Sequence, residues 1–143
     1  MLILLWWLFI TTICVYICWI DVRERKISNN SVFWLCSLLF ISVLIYNSEV
    51  YFCQPAIVLF CGILLWKLGI FGAGDVKLAS VFSILISPDY YLLVVVMMLV
   101  LGGIEALMYI IVKKLKPTLY TQNGIPFAPP IVVSGLFGIA ASI

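Results

Sequence analysis

The residues best suited to chemistry in this sequence are two acids that adjoin apolar segments, Asp21 and Asp75. Asp75 lies in the segment 72–78, with sequence GAGDVKL, in which two glycines precede it and Lys77 follows it. Glycine allows the backbone to turn sharply and to be approached closely. An ionisable side chain at the point where a loop enters a membrane-embedded segment is a candidate functional residue.

Two aspartates that approach each other could carry out hydrolysis by acid–base chemistry. Two carboxyl groups held close together in a medium of low dielectric cannot both ionise, so the pair shares a proton. One then acts as a general base that activates water, and the other as a general acid that protonates the substrate. The alternative interpretation is structural: Asp75 could cap a helix, and Asp21 could be an ordinary loop acid beside Arg23 and Arg25.

The remaining residue types narrow the chemistry further. The chain has no histidine, so a serine or cysteine nucleophile would lack its usual base. The five cysteines form no Cys-x-x-Cys pair and mostly lie in apolar runs, which favours buried, inert thiols over a zinc site. We therefore expect neither a metal ion nor a cofactor.

Composition indicates what must position the two acids. The 143 residues are 66% hydrophobic and 10% charged, with a mean hydropathy of +1.28. This predicts an all-α membrane bundle with one domain, residues 1–143, embedded in the lipid bilayer. We interpret the N-terminal apolar run as a first span rather than a cleavable signal peptide, because no basic residue precedes it. The net charge of +2 is too small to suggest a nucleic-acid partner. The predicted spans are 2–20, 32–46, 50–66, 75–87, 90–112 and 125–143.

The charged residues between these spans predict the topology. The basic residues fall in or beside the first, third and fifth connections, whereas the second and fourth carry Glu49 and Asp89. They are Arg23, Arg25, Lys26, Lys67, Lys77, Lys113, Lys114 and Lys116. By the positive-inside rule their side is cytoplasmic, so both termini face outward. Asp21 and Asp75 then lie at the same depth, at the cytoplasmic face.

Two further charged residues have open roles. Lys77 either sets topology or keeps Asp75 ionised. Glu105 lies in the middle of the fifth span, where an unpaired charge is costly. It is either a structural residue, which we favour, or a member of a polar cluster.

Three segments in order resemble the motifs of the type IV prepilin peptidases. Residues 72–78 resemble that family's G-x-G-D-x-K-L motif. Residues 21–29, DVRERKISN, are similar to its first motif, an aspartate and a basic stretch followed by I-P-N, although Ser28 stands where the family usually has proline. Residues 124–129, GIPFAP, resemble its third signature, G-x-P-F-A-P.

The resemblance implies a six-helix aspartyl protease of the GxGD type, with Asp21 and Asp75 as the catalytic pair. It also implies an active-site loop that includes Gly72, Gly74 and Lys77, together with Pro126 of the third motif.

The implied substrate is a prepilin-like protein, whose basic leader is cut off before an apolar helix at the cytoplasmic face of the inner (plasma) membrane. The chain lacks the cysteine-rich region of the larger, methylating members. In size it resembles the short peptidases of Flp-type pilus systems or competence-like systems.

Three other hypotheses are weighed against this one. A presenilin-like intramembrane protease also uses a G-x-G-D loop, but such chains are longer and have a different third motif. A small proton-coupled transporter would use Asp21, Asp75 and Glu105 as a relay, yet a relay should be distributed across the membrane. A catalytically silent subunit of a pilus or secretion machine would have no need of both acids.

Overall fold

A computed structural model describes residues 1–46, 50–115 and 125–143. Within these ranges the chain forms six helices and no strand, which confirms the all-α prediction. The helices are α1 (Leu2–Glu24), α2 (Asn29–Tyr46), α3 (Cys53–Lys67), α4 (Ala73–Phe82), α5 (Pro88–Leu115) and α6 (Ala128–Ser142). The predicted turn at Glu49, the basic residue Lys116 and Gly124 of the third motif lie outside the described residues.

Three of the helices are long and apolar enough to cross a membrane, namely α1, α2 and α5 with 23, 18 and 28 residues. Their outward-facing side chains are largely apolar, and we conclude that the chain is a membrane protein. The other helices are shorter, with 15 residues in α3 and α6 and 10 in α4. A helix needs about 20 residues to cross the bilayer core unaided. The number of helices thus matches the prediction, while six crossings and the outward termini stay predictions.

The fourth helix differs most from its predicted span, 75–87. It ends at Phe82, and the following residues, 84–86, are buried without being helical. The backbone N–H of Tyr51 donates a hydrogen bond to the carbonyl oxygen of Ile84 (3.0 Å) in this stretch. Hydropathy alone cannot distinguish a buried helix from such a buried turn, because both are apolar runs in the sequence.

The buried face of α1 leads directly to the first acid. Its buried residues follow one another at intervals of three or four, which places them on one side of the helix. They are Trp6, Ile10, Cys14, Ile17 and Asp21. Because α1 continues past the predicted end at residue 20 to Glu24, Asp21 belongs to the last turns of the helix and points with this stripe into the bundle.

The helix that begins beside the second acid, α4, is packed among its neighbours. It contacts α2, α3 and α6. Glycines permit two of these approaches: a Cβ on Gly62 would lie 2.3 Å from the Val76 side chain, and one on Gly135 would lie 2.5 Å from the Phe82 ring. The start of α4 is therefore held in place by helices on several sides.

Candidate active site

Asp21 is fixed between the end of α1 and the start of α6. Its side chain is only 5% exposed. The backbone N–H of Ala128 donates a hydrogen bond to Asp21 Oδ2 (3.0 Å), across 107 positions of the chain. The first N–H groups of a helix have no partner within the helix, and the positive end of its dipole favours a nearby anion. Asp21 thus satisfies the N-terminus of α6, whose preceding residue Phe127 provides no side-chain cap.

Asp75 lies in the first turn of α4 and is half-buried. The backbone N–H of Gly72 donates a hydrogen bond to Asp75 Oδ2 (3.2 Å), so the carboxyl group does serve the helix start. A Cβ at Gly72 would lie 2.7 Å from the same oxygen, so a larger residue there would displace the carboxyl group. The capping interpretation of Asp75 is therefore correct in geometry, and it holds the carboxyl group in a defined position.

Both carboxyl groups line one cavity of about 750 Å³. The rest of its wall comes from Arg25, from the loop before α4, from the middle of α5 and from the segment before α6. Two aromatic rings meet in this wall, since Phe71 and Phe127 pack edge to face with centroids 5.0 Å apart. The Phe127 ring also fills the space above Gly102, where a Cβ would lie 2.4 Å from it. All three motifs of the sequence thus contribute to one concave site with two buried or half-buried acids.

The comparison with protein families agrees with this geometry. The model of the type IV leader peptidase family matches residues 4–107, well over half of the chain. The chain belongs to the type IV leader peptidase family. The matched region contains Asp21 and Asp75 and ends before the third motif. No curated protein and no solved structure matches the chain significantly. Family membership assigns a peptidase activity in general.

The predicted loop residues Gly72, Gly74 and Lys77 occupy separate positions. Gly72 lines the cavity. Gly74 instead packs against Ile27, because a Cβ added to the glycine would lie 2.9 Å from the Cβ of Ile27. Lys77 Nζ donates a hydrogen bond to Asn29 Oδ1 (3.0 Å). Lys77 therefore joins the second motif, residues 72–78, to the end of the first motif, residues 21–29. Neither of the two roles predicted for Lys77 included this contact.

Pro126 of the third motif is buried and lines a second cavity of about 250 Å³ next to the first. Arg25 lines both cavities, and Glu105 and Tyr109 of α5 line the second. The guanidinium carbon of Arg25 lies 5.3 Å from the centroid of the Tyr109 ring, a cation–π distance. Glu105 thus shares a cavity with Arg25 and Tyr109, while its role, structural or as a member of a polar cluster, stays a prediction.

Sequence reasoning missed Arg25 as a site residue. From the sequence alone it is a topogenic charge and a loop neighbour of Asp21, which it follows by four positions. Its backbone is left-handed, with φ 57° and ψ 36°, at the C-terminal end of α1. A left-handed conformation at a residue other than glycine is uncommon and costs free energy, so its persistence indicates that the surroundings fix it.

Among the described residues, no group of three or more histidine, cysteine, aspartate or glutamate side chains is placed to hold a metal ion.

Proposed function

We propose that this leader peptidase is an aspartyl endopeptidase that removes the basic leader of a prepilin-like protein at the cytoplasmic face of the inner membrane. The observation that carries the proposal is the placement of Asp21 and Asp75 on one cavity. Both side chains are already anchored by backbone N–H groups, from Ala128 and Gly72 respectively. Anchored groups hold their geometry without reorganisation during the reaction, which favours catalysis.

The proposed reaction uses the two acids as a unit. One carboxylate takes a proton from water, and the water oxygen attacks the carbonyl carbon of the scissile peptide bond. The other carboxyl group donates its proton to the carbonyl oxygen as the tetrahedral intermediate forms. As the intermediate breaks, the first aspartate gives the proton it took from water to the amine nitrogen, the C–N bond is cleaved and the amine leaves. The second aspartate takes a proton back from a hydroxyl group of the intermediate, so both aspartates regain their initial protonation states.

The walls of the cavity suit the proposed substrate. Two acids and one base, Arg25, line it. A pair of acids that shares one proton carries a single negative charge, which Arg25 balances, so the fit to the substrate rests on the apolar part of the wall. Leu99, Gly103 and Ala106 of α5 give the opposite wall an apolar surface of small and medium side chains. Such a wall suits the apolar helix that follows the leader in a prepilin-like protein. A substrate of the Flp-type pilus class is part of this proposal.

The test is cleavage of a model prepilin, a basic leader followed by an apolar helix, by the purified protein in detergent. Asp21→Asn and Asp75→Asn should each lower the cleavage rate by about 10²- to 10⁴-fold, because an amide can neither take nor give the proton. The double variant should be no slower than either single one, since residues that act as a unit are not additive. Both substitutions retain an oxygen that accepts the existing backbone hydrogen bond, so the fold should persist.

The matched control is Asp89→Asn, which changes an exposed aspartate in the first turn of α5 that lines neither cavity. It should cleave at the unmodified rate. Clear cleavage by Asp21→Asn or Asp75→Asn would remove that residue from the mechanism. A folded, unmodified protein that leaves the model prepilin intact would favour the transporter or silent-subunit hypotheses instead.

A further inference from the structure

The second cavity contains polar atoms that the fold itself does not satisfy. Arg25 Nε, Arg25 Nη1 and Glu105 Oε2 are all buried and have no hydrogen-bond partner among the described residues. Buried polar groups in native proteins are almost always paired, so each such atom requires an explanation. The two residues that carry these unpaired atoms, Arg25 and Glu105, line the same cavity of about 250 Å³.

Arg25 and Glu105 carry opposite charges, but their unpaired atoms form no hydrogen bond with each other. A guanidinium and a carboxylate that served only each other would be expected to meet in a bidentate contact. Both residues instead line one cavity, which offers space for a bound group. The Arg25 guanidinium carbon lies 5.3 Å from the centroid of the Tyr109 ring, and the left-handed backbone of Arg25 is the C-cap of α1.

The chemistry of the cavity restricts what that group can be. A basic side chain in the cavity would be attracted by Glu105 and repelled by Arg25. An acidic side chain would be attracted by Arg25 and repelled by Glu105, so a charged group gains little there. A peptide unit is neutral and presents a carbonyl acceptor and an N–H donor, which are the complements of Arg25 and Glu105. Because Arg25 also lines the cavity of Asp21 and Asp75, a peptide held there would continue into the proposed cleavage site.

We propose that the cavity between Arg25 and Glu105 is a subsite that binds one backbone peptide unit of the substrate, with its carbonyl oxygen on Arg25 and its N–H on Glu105. The inference rests on the proposed function, since it takes the substrate to be a polypeptide. Arg25 and Glu105 are substrate-positioning residues in this scheme and take no part in the proton transfers of Asp21 and Asp75.

Substitutions at the two positions separate this role from a structural one. Arg25→Gln should raise KM for the model prepilin about tenfold, while kcat stays within about twofold, because a hydrogen bond from a charged donor is lost in the ground and transition states alike. Arg25→Lys should restore part of the affinity. Glu105→Gln retains an acceptor oxygen and should have a small effect, whereas Glu105→Leu should weaken binding as much as Arg25→Gln. The control is Arg23→Gln, which removes the same charge from an exposed position that lines neither cavity.

A backbone substitution in the substrate tests the contact directly. In synthetic leader peptides that continue into the apolar helix, one N–H at a time is replaced by an ester oxygen. One position near the cleavage point should lose affinity about fivefold or more for the unmodified protein. For the Glu105→Leu protein, the same ester peptide should bind no more weakly than the all-amide peptide.

Binding is measured separately from cleavage, by fluorescence anisotropy of labelled peptide in the Asp21→Asn background. If binding depends on Arg25 but the unmodified protein does not cleave, the subsite stands and the proposed function fails. If Arg25→Gln or Glu105→Leu lowers the thermal stability but binds the peptide with unchanged affinity, the two residues form a structural, water-bridged pair and the subsite is overturned. An absence of any binding by the folded protein overturns it as well.

Discussion

At the scale of single residues, Asp21 and Asp75 each have a structural contact and a proposed chemical role. The contact of Asp21 is the more unusual, because it closes the N-terminus of a helix more than a hundred positions away. The same bond that would hold a catalytic carboxylate in place therefore also stabilises the junction of α1 and α6. A substitution of Asp21 that removes the acceptor oxygen therefore changes both the position of the proposed catalytic group and the stability of this junction.

This dual role predicts different stabilities for two substitutions of Asp21. Asp21→Ala removes the acceptor for the Ala128 N–H and should lower the free energy of unfolding by about 1–2 kcal/mol, the usual cost of losing a helix cap. Asp21→Asn retains an acceptor oxygen and should unfold near the temperature of the unmodified protein. Thermal unfolding in detergent compares the two directly. Equal unfolding temperatures would show that the bond to Ala128 adds nothing to stability.

At the scale of helices, two adjacent glycines of α5 serve different purposes. Gly102 is buried against the Phe127 ring, whereas a Cβ on Gly103 would meet nothing within 4 Å. Both line the cavity of Asp21 and Asp75. Close packing explains Gly102, and the open space at Gly103 is part of the cavity itself.

We therefore predict a graded effect of side-chain size at position 103. Gly103→Leu should reduce kcat/KM for the model prepilin about tenfold or more, because four added carbons occupy space that the substrate would use, and Gly103→Ala should have a smaller effect. Neither should lower the unfolding temperature, since glycine is a poor helix former and its replacement favours the helix. Gly102→Ala should lower that temperature instead, because its Cβ would collide with Phe127. A Gly103→Leu enzyme with full activity would show that substrate does not enter along this wall.

Hydropathy was sufficient to predict the six helices, because apolar runs separated by charged or turn residues are a strong pattern. It was insufficient for their ends. The run after Phe82 is as apolar as the helix before it, yet it is a turn held by a backbone bond from Tyr51. The neighbours of Glu105 could not be read from the sequence either, since its cavity is lined by residues far away in the chain, among them Arg25 and Pro126.

At the scale of the whole molecule, cationic groups from distant helices gather at the end that holds the two acids. Arg25 at the end of α1 and Lys113 in the last turn of α5 approach the same Tyr109 ring, at 5.3 and 5.7 Å from its centroid. Lys77 joins α4 to α2 at the same motifs. This clustering supports the prediction that these residues share one side of the membrane, which the positive-inside rule makes cytoplasmic.

The orientation can be tested by labelling single cysteines in a variant whose five native cysteines are replaced by alanine. With the basic end in the cytoplasm, Glu49→Cys should react with a membrane-impermeant maleimide added to intact cells, because the predicted turn around residue 49 faces outward. Glu24→Cys lies at the end of α1, beside the cavities, and should react only after the membrane is permeabilised. Reaction of both cysteines in permeabilised cells is the control for accessibility. If Glu24→Cys were labelled in intact cells and Glu49→Cys were not, Asp21 and Asp75 would face outward, and a leader on the cytoplasmic side could not reach them.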